Sequence, residues 1–351
     1  MMVPEEDKFL MFNEEKERKC YNNKRFYKTL KIISIYCFVF IILQATKYNK
    51  LLFDVNLNQK VSVKEENNIK IALCTMGKGE NLYANEFVGY HLKLGIDHIF
   101  IYDDNDPNTE MIAEAIESKY KSKVTIYENI KERIKGQVDA FNECYQNNLL
   151  EYNWILMCDM DEFLFVVNDT LKSYLSQKIF DKCDFIKFHW AIAIDNDLVH
   201  YDPRSLFVRF KPPYIKDRFI KTIVRGNISD MKYWVHSPYM SPTRNVTCTN
   251  KGDVIIWNKL NFESYKNINV EKAFLIHFRY KSTEEFVNKY KRGFSNWHGN
   301  QIGKVLKDHI YNYFEENKMT MEKIKYIESQ LNLTLIDLRI KYYLLGLFFA
   351  N

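Results

Sequence analysis

Residues 153–165 read Asn-Trp-Ile-Leu-Met-Cys-Asp-Met-Asp-Glu-Phe-Leu-Phe. A mostly apolar run, 154–158, leads directly into three carboxylates, Asp159, Asp161 and Glu162. An apolar run of this length reads as a buried strand. Its acidic end is expected to leave the core, because unpaired buried carboxylates are costly. Asp159 and Asp161 are two apart, so on an extended chain they point the same way. Two hard oxygen ligands on one side suit Mg2+ or Mn2+. A divalent ion at a strand end is what a site handling a diphosphate needs.

Upstream of this strand the pattern alternates. Residues 70–75 read as a strand ending in Gly77-Lys78-Gly79, and 80–94 as a helix closed by Gly95. Residues 97–102 read as a second strand, 108–119 as a helix, 123–127 as a third strand and 137–150 as a helix. This alternation predicts parallel βαβ units, an α/β fold. Ligands of such sheets bind at the carboxyl ends of the strands. The polar clusters at 75–80, 103–106 and 159–162 all fall at those ends. Beyond residue 180 the chain turns β-rich and aromatic, with strands expected at 185–194, 205–210, 219–225, 232–236 and 273–278. A helix is expected at 282–293, and two or three amphipathic helices over 302–348.

Net charge is +5, with 46% hydrophobic and 27% charged residues in 351. That balance fits a globular protein, and neither charge nor motif points to nucleic acid. None of the seven cysteines forms a C-x-x-C pair, which argues against structural zinc. Cys74 and Cys158 lie in strand-like runs and read as buried thiols. Disulfides are open, with no connectivity readable.

The N-terminus carries a topology signal. Seven Lys and Arg against one Glu occupy residues 16–31, and 32–45 holds no charged residue. Extended to 29–46, with Lys31 snorkelling, the apolar run reaches the lower limit for a bilayer span. The expected organisation is a cytoplasmic tail at 1–28, a signal-anchor transmembrane helix at 29–46, a stem at 47–68, a catalytic domain at 69–300 and a C-terminal helical extension at 301–351. The basic flank orients the anchor as type II, leaving the rest lumenal. N-x-S/T sites at Asn168, Asn227, Asn245 and Asn332 are compatible with that placement.

The ordered motifs resemble a known family. Glu86-Phe-Val-Gly-Tyr-His91-Leu-Lys-Leu-Gly95 leads into Tyr102-Asp103, followed by Gln137-Val-Asp-Ala140 with Cys144. Then come Trp154 to Phe163, Arg209-Phe210, Lys221-Thr-Ile-Val-Arg225 and His236. Last comes His277-Phe-Arg-Tyr-Lys-Ser282 with Phe286, Lys289 and Gly293. Over about residues 69–295 this set is similar to glycosyltransferase family 92 and its GT-A-fold relatives. One departure is the turn after Trp190, which reads Ala-Ile-Ala-Ile-Asp195-Asn196-Asp197 where many members carry Gly and Ser.

The resemblance implies a GT-A domain, a Rossmann-like and mostly parallel sheet, behind the anchor in a Golgi or other secretory-pathway membrane. It implies Mn2+- or Mg2+-dependent, inverting transfer of a sugar from a nucleotide sugar to a glycan, with a UDP-sugar donor and galactose foremost. Asp161 is then the direct metal ligand, with Asp159 on the metal or ribose and His277 completing the shell. Thr75, Lys78, Asp103 and Gln137 would line the nucleotide pocket. Lys221 and Arg225, with Arg218 nearby, would face phosphate; His236 is a second histidine of interest, and Glu162 either joins the site or salt-bridges. Asp195 and Asp197 are candidate general bases for the acceptor hydroxyl. Two rivals share parts of the pattern. One is a glycan-binding protein on a decayed transferase fold. The other is a haloacid-dehalogenase-type phosphatase, whose strand also ends in D-x-D but which wants Thr or Val where Glu162-Phe163 stands.

Overall fold

The computed structural model describes residues 52–53, 69–255, 267–292 and 302–332. The chain divides into two compact units, Met1–Leu52 and Phe53–Asn351, and every element below belongs to the second. The expected tail and anchor lie outside the described residues, as does nearly all of the stem. Among the described residues no helix is long and apolar enough to cross a membrane.

The first half alternates as expected: β1 (Ile71–Gly77), α1 (Asn81–Leu94), β2 (His98–Asp103), β3 (Val124–Tyr127), α2 (Gln137–Asn148) and β4 (Trp154–Met157). The four strands are parallel in the order β3-β2-β1-β4. Strand order reverses between β1 and β4, and a crevice opens at the carboxyl ends of such a pair. Gly95 ends α1 in the left-handed region, φ 117°, which a glycine tolerates without strain.

The second half reverses direction. It comprises β5 (Glu162–Val166), β6 (Phe185–Ile192), β7 (Tyr214–Arg225), β8 (Thr247–Thr249), β9 (Val254–Ile255) and β10 (Ala273–His277). Strand β7 runs antiparallel to both β4 and β6, and β10 lies parallel to β6 and antiparallel to β5. Helices α3 (Thr283–Arg292), α4 (Ile302–Glu316) and α5 (Met321–Leu331) follow. One core holds Leu73, Phe87, Phe163 and Phe188, and a second holds Tyr102, Phe141, Tyr145 and Ile155. A third joins Tyr280 and Phe286 to Tyr313, Ile324 and Ile327.

Several expectations are corrected. The helix expected over 108–119 shrinks to Ile112–Ala115, ended where Ile116 takes extended backbone and enters the core, and a 3-10 turn, Ser118–Lys123, follows with no buried residue. Residues 205–210 form a helical turn, Leu206–Arg209, not a strand. The Glu86 carboxylate accepts from Leu206 N and Ser205 Oγ, at 3.0 and 2.5 Å, and so caps that turn from another helix. Cys74 is not a thiol: it pairs with Cys144, tying β1 to α2, while Cys183 pairs with Cys248. Cys158 is free and buried.

Candidate active site

The acidic end of β4 does not leave the core. Asp161 is 5% exposed and Glu162 not at all. Nor does the chain stay extended: Glu162 N donates to Asp159 O at 3.1 Å, closing a turn, and Glu162 Oε2 accepts from Asp159 N at 2.9 Å. The two aspartates therefore meet different partners. Asp159 Oδ1 accepts from Lys221 Nζ at 3.0 Å and from Gln137 Nε2 in the first turn of α2. Asp161 Oδ2 accepts from Lys289 Nζ at 2.7 Å, and its Oδ1 lies 3.4 Å from His277 Nε2. Met160 turns into the core against Gly77, where a Cβ would overlap its sulfur and the terminal methyl of Ile112. A glycine at the end of β1 lets the acidic turn approach the sheet.

Electrostatics keep the triplet inside. Burial alone would raise the Asp161 carboxyl, but Lys289 and His277 hold it well below the usual carboxylate range. Burial pushes Glu162 well above that range despite Lys221. Lys221 is itself fully buried, and Asp159 and Glu162 raise its ammonium above the ordinary value against the desolvation that would lower it. Burial lowers His277, against the pull of Asp161, and takes His236 down to about 3, so the His236 ring is neutral at neutral pH. Such paired cations are what allow buried carboxylates to persist.

Three polar atoms near this turn are buried without a hydrogen-bond partner among the described residues: Glu162 Oε1, His277 Nδ1 and Trp190 Nε1. The ring of Trp190 lies against His277, centroids 4.4 Å apart, and His277 is in register with Glu162. Orphaned polar atoms are rare in native interiors and call for an explanation, a bound group among them.

The other predicted residues fall as follows. Thr75 is buried in β1, its hydroxyl also unpartnered. Lys78 lines a cavity of about 300 Å3 beyond β1 and β2, together with Asn81, Asn105, Asp106 and Arg292. Asp103 holds the β2 turn, its oxygens accepting from Asn105 N at 3.0 Å and Ile112 N at 2.6 Å. His236 pairs with Ile220 O and packs on Trp190 and Phe219.

Arg225 is misplaced as a phosphate ligand. Because β7 runs antiparallel to β4, Arg225 sits opposite Trp154, at the start of β4, five residues from Asp159. It donates to the Cys183 and Phe180 carbonyls and covers the Trp154 ring. Four residues earlier on the same strand, Lys221 reaches the acidic turn. Asp195 is no free base either: it is 2% exposed, and its oxygens accept from Lys323 Nζ, Tyr313 Oη and Asp197 N. Asp197 is the more open of the two and pairs with Lys323 at 3.2 Å.

Sequence reasoning assigned no site role to Lys289, Lys281 or Glu80. Lys281, in the left-handed region at φ 60°, reaches the buried Glu80 at 3.0 Å, and Glu80 also takes Arg292 at 2.7 Å. The signal available was the crowding of Arg279, Lys281 and Lys289 just after His277. Such a cluster beside a buried acidic turn needs partners.

A family model, glycosyltransferase family 92, matches residues 68–333. The chain belongs to glycosyltransferase family 92. Members in Ricinus communis and Arabidopsis thaliana are 30% and 31% identical to it over 94 and 107 residues, covering 27% and 30% of this chain. Those stretches make up only 17% and 18% of the two plant proteins. A family 92 protein of Oryza sativa is 28% identical over 106 residues. Among solved structures, a CMP:2-keto-3-deoxy-manno-octonic acid synthetase complexed with CTP aligns with 44% of this chain and 74% of its own, at 15% identity. Its TM-score is 0.26, too slight a likeness to bear on fold or function. The family match spans β1 through α5 and contains the whole acidic turn with its lysines.

Proposed function

We propose that this protein transfers a hexose, galactose foremost, from a UDP-sugar to a glycan hydroxyl with inversion, with a divalent cation at the acidic turn. The observation that carries this is the Asp161–His277 pair. Two neighbouring ligands of an octahedral cation with bonds of about 2.1 Å stand about 3 Å apart. The Asp161 Oδ1 to His277 Nε2 separation of 3.4 Å fits such a pair, and a carboxylate with an imidazole suits Mn2+. Among the described residues no three His, Cys, Asp or Glu side chains form a metal-binding group, so the remaining ligands would be diphosphate oxygens and water, as Mg2+ and Mn2+ sites commonly use. A bound cation supplies charge stabilisation for the departing nucleoside diphosphate.

The chain's own residues support that role. Gln137 and Lys221 fix Asp159, and Lys289 neutralises Asp161. Lys78 and Arg292 bring positive charge to the carboxyl end of β1, beside the crevice between β1 and β4. Two disulfides and four exposed N-x-S/T asparagines accord with a secretory-pathway location, the type II anchor included. The test is a thermal-shift panel of nucleotide sugars with and without Mn2+, followed by donor hydrolysis. We expect stabilisation by a UDP-sugar only with metal, and hydrolysis at least a hundredfold lower in Asp161→Asn. Hydrolysis unchanged in that variant would overturn the assignment.

A further inference from the structure

After β7 the chain folds back in a two-stranded hairpin, Lys232–Tyr233 paired with Pro238–Met240. It carries two aromatic rings that the fold leaves out of its cores. Trp234 is 42% exposed and Tyr239 41%, with ring centroids 6.2 Å apart and planes at 85°. The two rings form an open corner.

The backbone beneath them is pinned from both sides. Tyr233 is buried, and the Asn142 side chain bonds both its N–H and its carbonyl. Trp234 N donates to Ser237 O at 3.0 Å. Val235 O accepts from Lys221 Nζ at 2.9 Å, and His236 O accepts from Thr222 Oγ1 and Tyr233 Oη. Lys221 Nζ is the same nitrogen that donates to Asp159 Oδ1 at 3.0 Å. The residue following Trp234 is therefore one lysine away from the acidic turn. Rigid, exposed aromatics give large contact area with little ordering cost, which is how binding surfaces use Trp and Tyr.

We propose that Trp234 and Tyr239 form the platform on which a sugar ring of the acceptor glycan stacks. This rests on the glycosyl-transfer reading above. A pyranose offers a face of polarised C–H groups that complements the negative face of an aromatic ring. Position selects the acceptor over the nucleotide. The nucleotide crevice lies between β1 and β4, whereas the hairpin hangs from β7, on the other side of β4. The group that meets it is the one approaching the donor from outside.

The experiment uses UDP-galactose with Mn2+ as donor and oligosaccharides released from glycoproteins as acceptors, with donor hydrolysis followed in parallel. Trp234→Ala is expected to raise the acceptor KM about tenfold, leaving donor KM, donor hydrolysis and melting temperature at wild-type values. Trp234→Phe is expected to recover most of the loss, and Tyr239→Ala to show a smaller one. An acceptor KM within twofold of wild type in Trp234→Ala overturns the platform while leaving glycosyl transfer standing. A rise in donor KM instead assigns the rings to the nucleotide base and also overturns it. Wild-type protein that neither hydrolyses nor transfers sugar from any nucleotide sugar removes the underlying reading, and the platform with it.

Discussion

Three consecutive-looking carboxylates acquire three chemistries from their partners. Asp159 is the most open, with a side chain 29% exposed between Lys221 and Gln137. Asp161 is sealed against Lys289 and His277, and Glu162 is buried at the head of β5, bracing the turn. The same logic governs His91 on α1, packed against Phe87 and Phe163. Its Nδ1 lies 2.9 Å from Phe87 O, and its Nε2 accepts from Leu164 N at 3.4 Å, which requires the neutral ring. Burial takes its pKa down from 6.5 to about 4. The unfolded chain thus binds a proton below pH 6.5 that the folded protein refuses until about pH 4, so stability is lost as pH falls through that window. At pH 5 the loss from this one group is about 2 kcal/mol. His91→Gln should be less stable than wild type at pH 7.5 yet lose about 2 kcal/mol less on going to pH 5, measured by urea unfolding. Equal losses in both proteins would show that His91 does not set the acid limb.

At the scale of elements, what could be read from the chain depended on how local its cause was. The βαβ half follows from apolar periodicity and glycine stops, and β1 to β4 lie within two residues of expectation. Residues 205–210, mostly apolar, read as a strand, but a cap from Glu86, 120 residues away, makes them a helical turn. The acidic turn stood out by residue type and spacing, whereas Gln137, Lys221 and His277 were named from the family resemblance, and the fold brings all three to that turn. Lys289 lies 128 residues from Asp161, a contact that no periodicity reports. The same distance in sequence separates Lys323 from Asp195, which is why Asp195 read as a base. Lys323, fully buried on α5, bonds Asp195 at 2.9 Å and Asp197 at 3.2 Å and so fastens the loop after β6. Removing one member of a buried pair strands the other, at about 3–5 kcal/mol. Lys323→Met should cost that much in denaturant unfolding, and adding Asp195→Asn should restore most of it. A double variant no more stable than Lys323→Met would mean that the helix packing, not the pair, carries the effect.

For the whole molecule, the expected boundary at residue 300 separates α3 from helices that share its core. Tyr280 and Phe286 are buried in one cluster with Ile310, Tyr313 and Phe314 of α4 and Ile324 and Ile327 of α5. The Phe286 and Tyr313 rings stack with centroids 4.4 Å apart. Thr283 Oγ1 and Tyr313 Oη lie 2.8 Å apart, and Arg279 reaches Glu316 at 3.1 Å. Cutting at 300 would expose Tyr280, Phe286 and Val287, at about 1.5–3 kcal/mol for each large side chain. It would also leave Asp195 buried without its cation. Together these losses are comparable to the roughly 5–15 kcal/mol that holds a typical domain folded. The family match runs past that point and ends at 333, just beyond α5. Expressed under oxidising conditions that form both disulfides, residues 69–333 should give a monodisperse species with a cooperative thermal transition. Residues 69–300 should aggregate or lack near-UV circular dichroism. A cooperative transition in the shorter piece would make the last two helices a separable appendage, and would remove them from any part in holding the loop that follows β6.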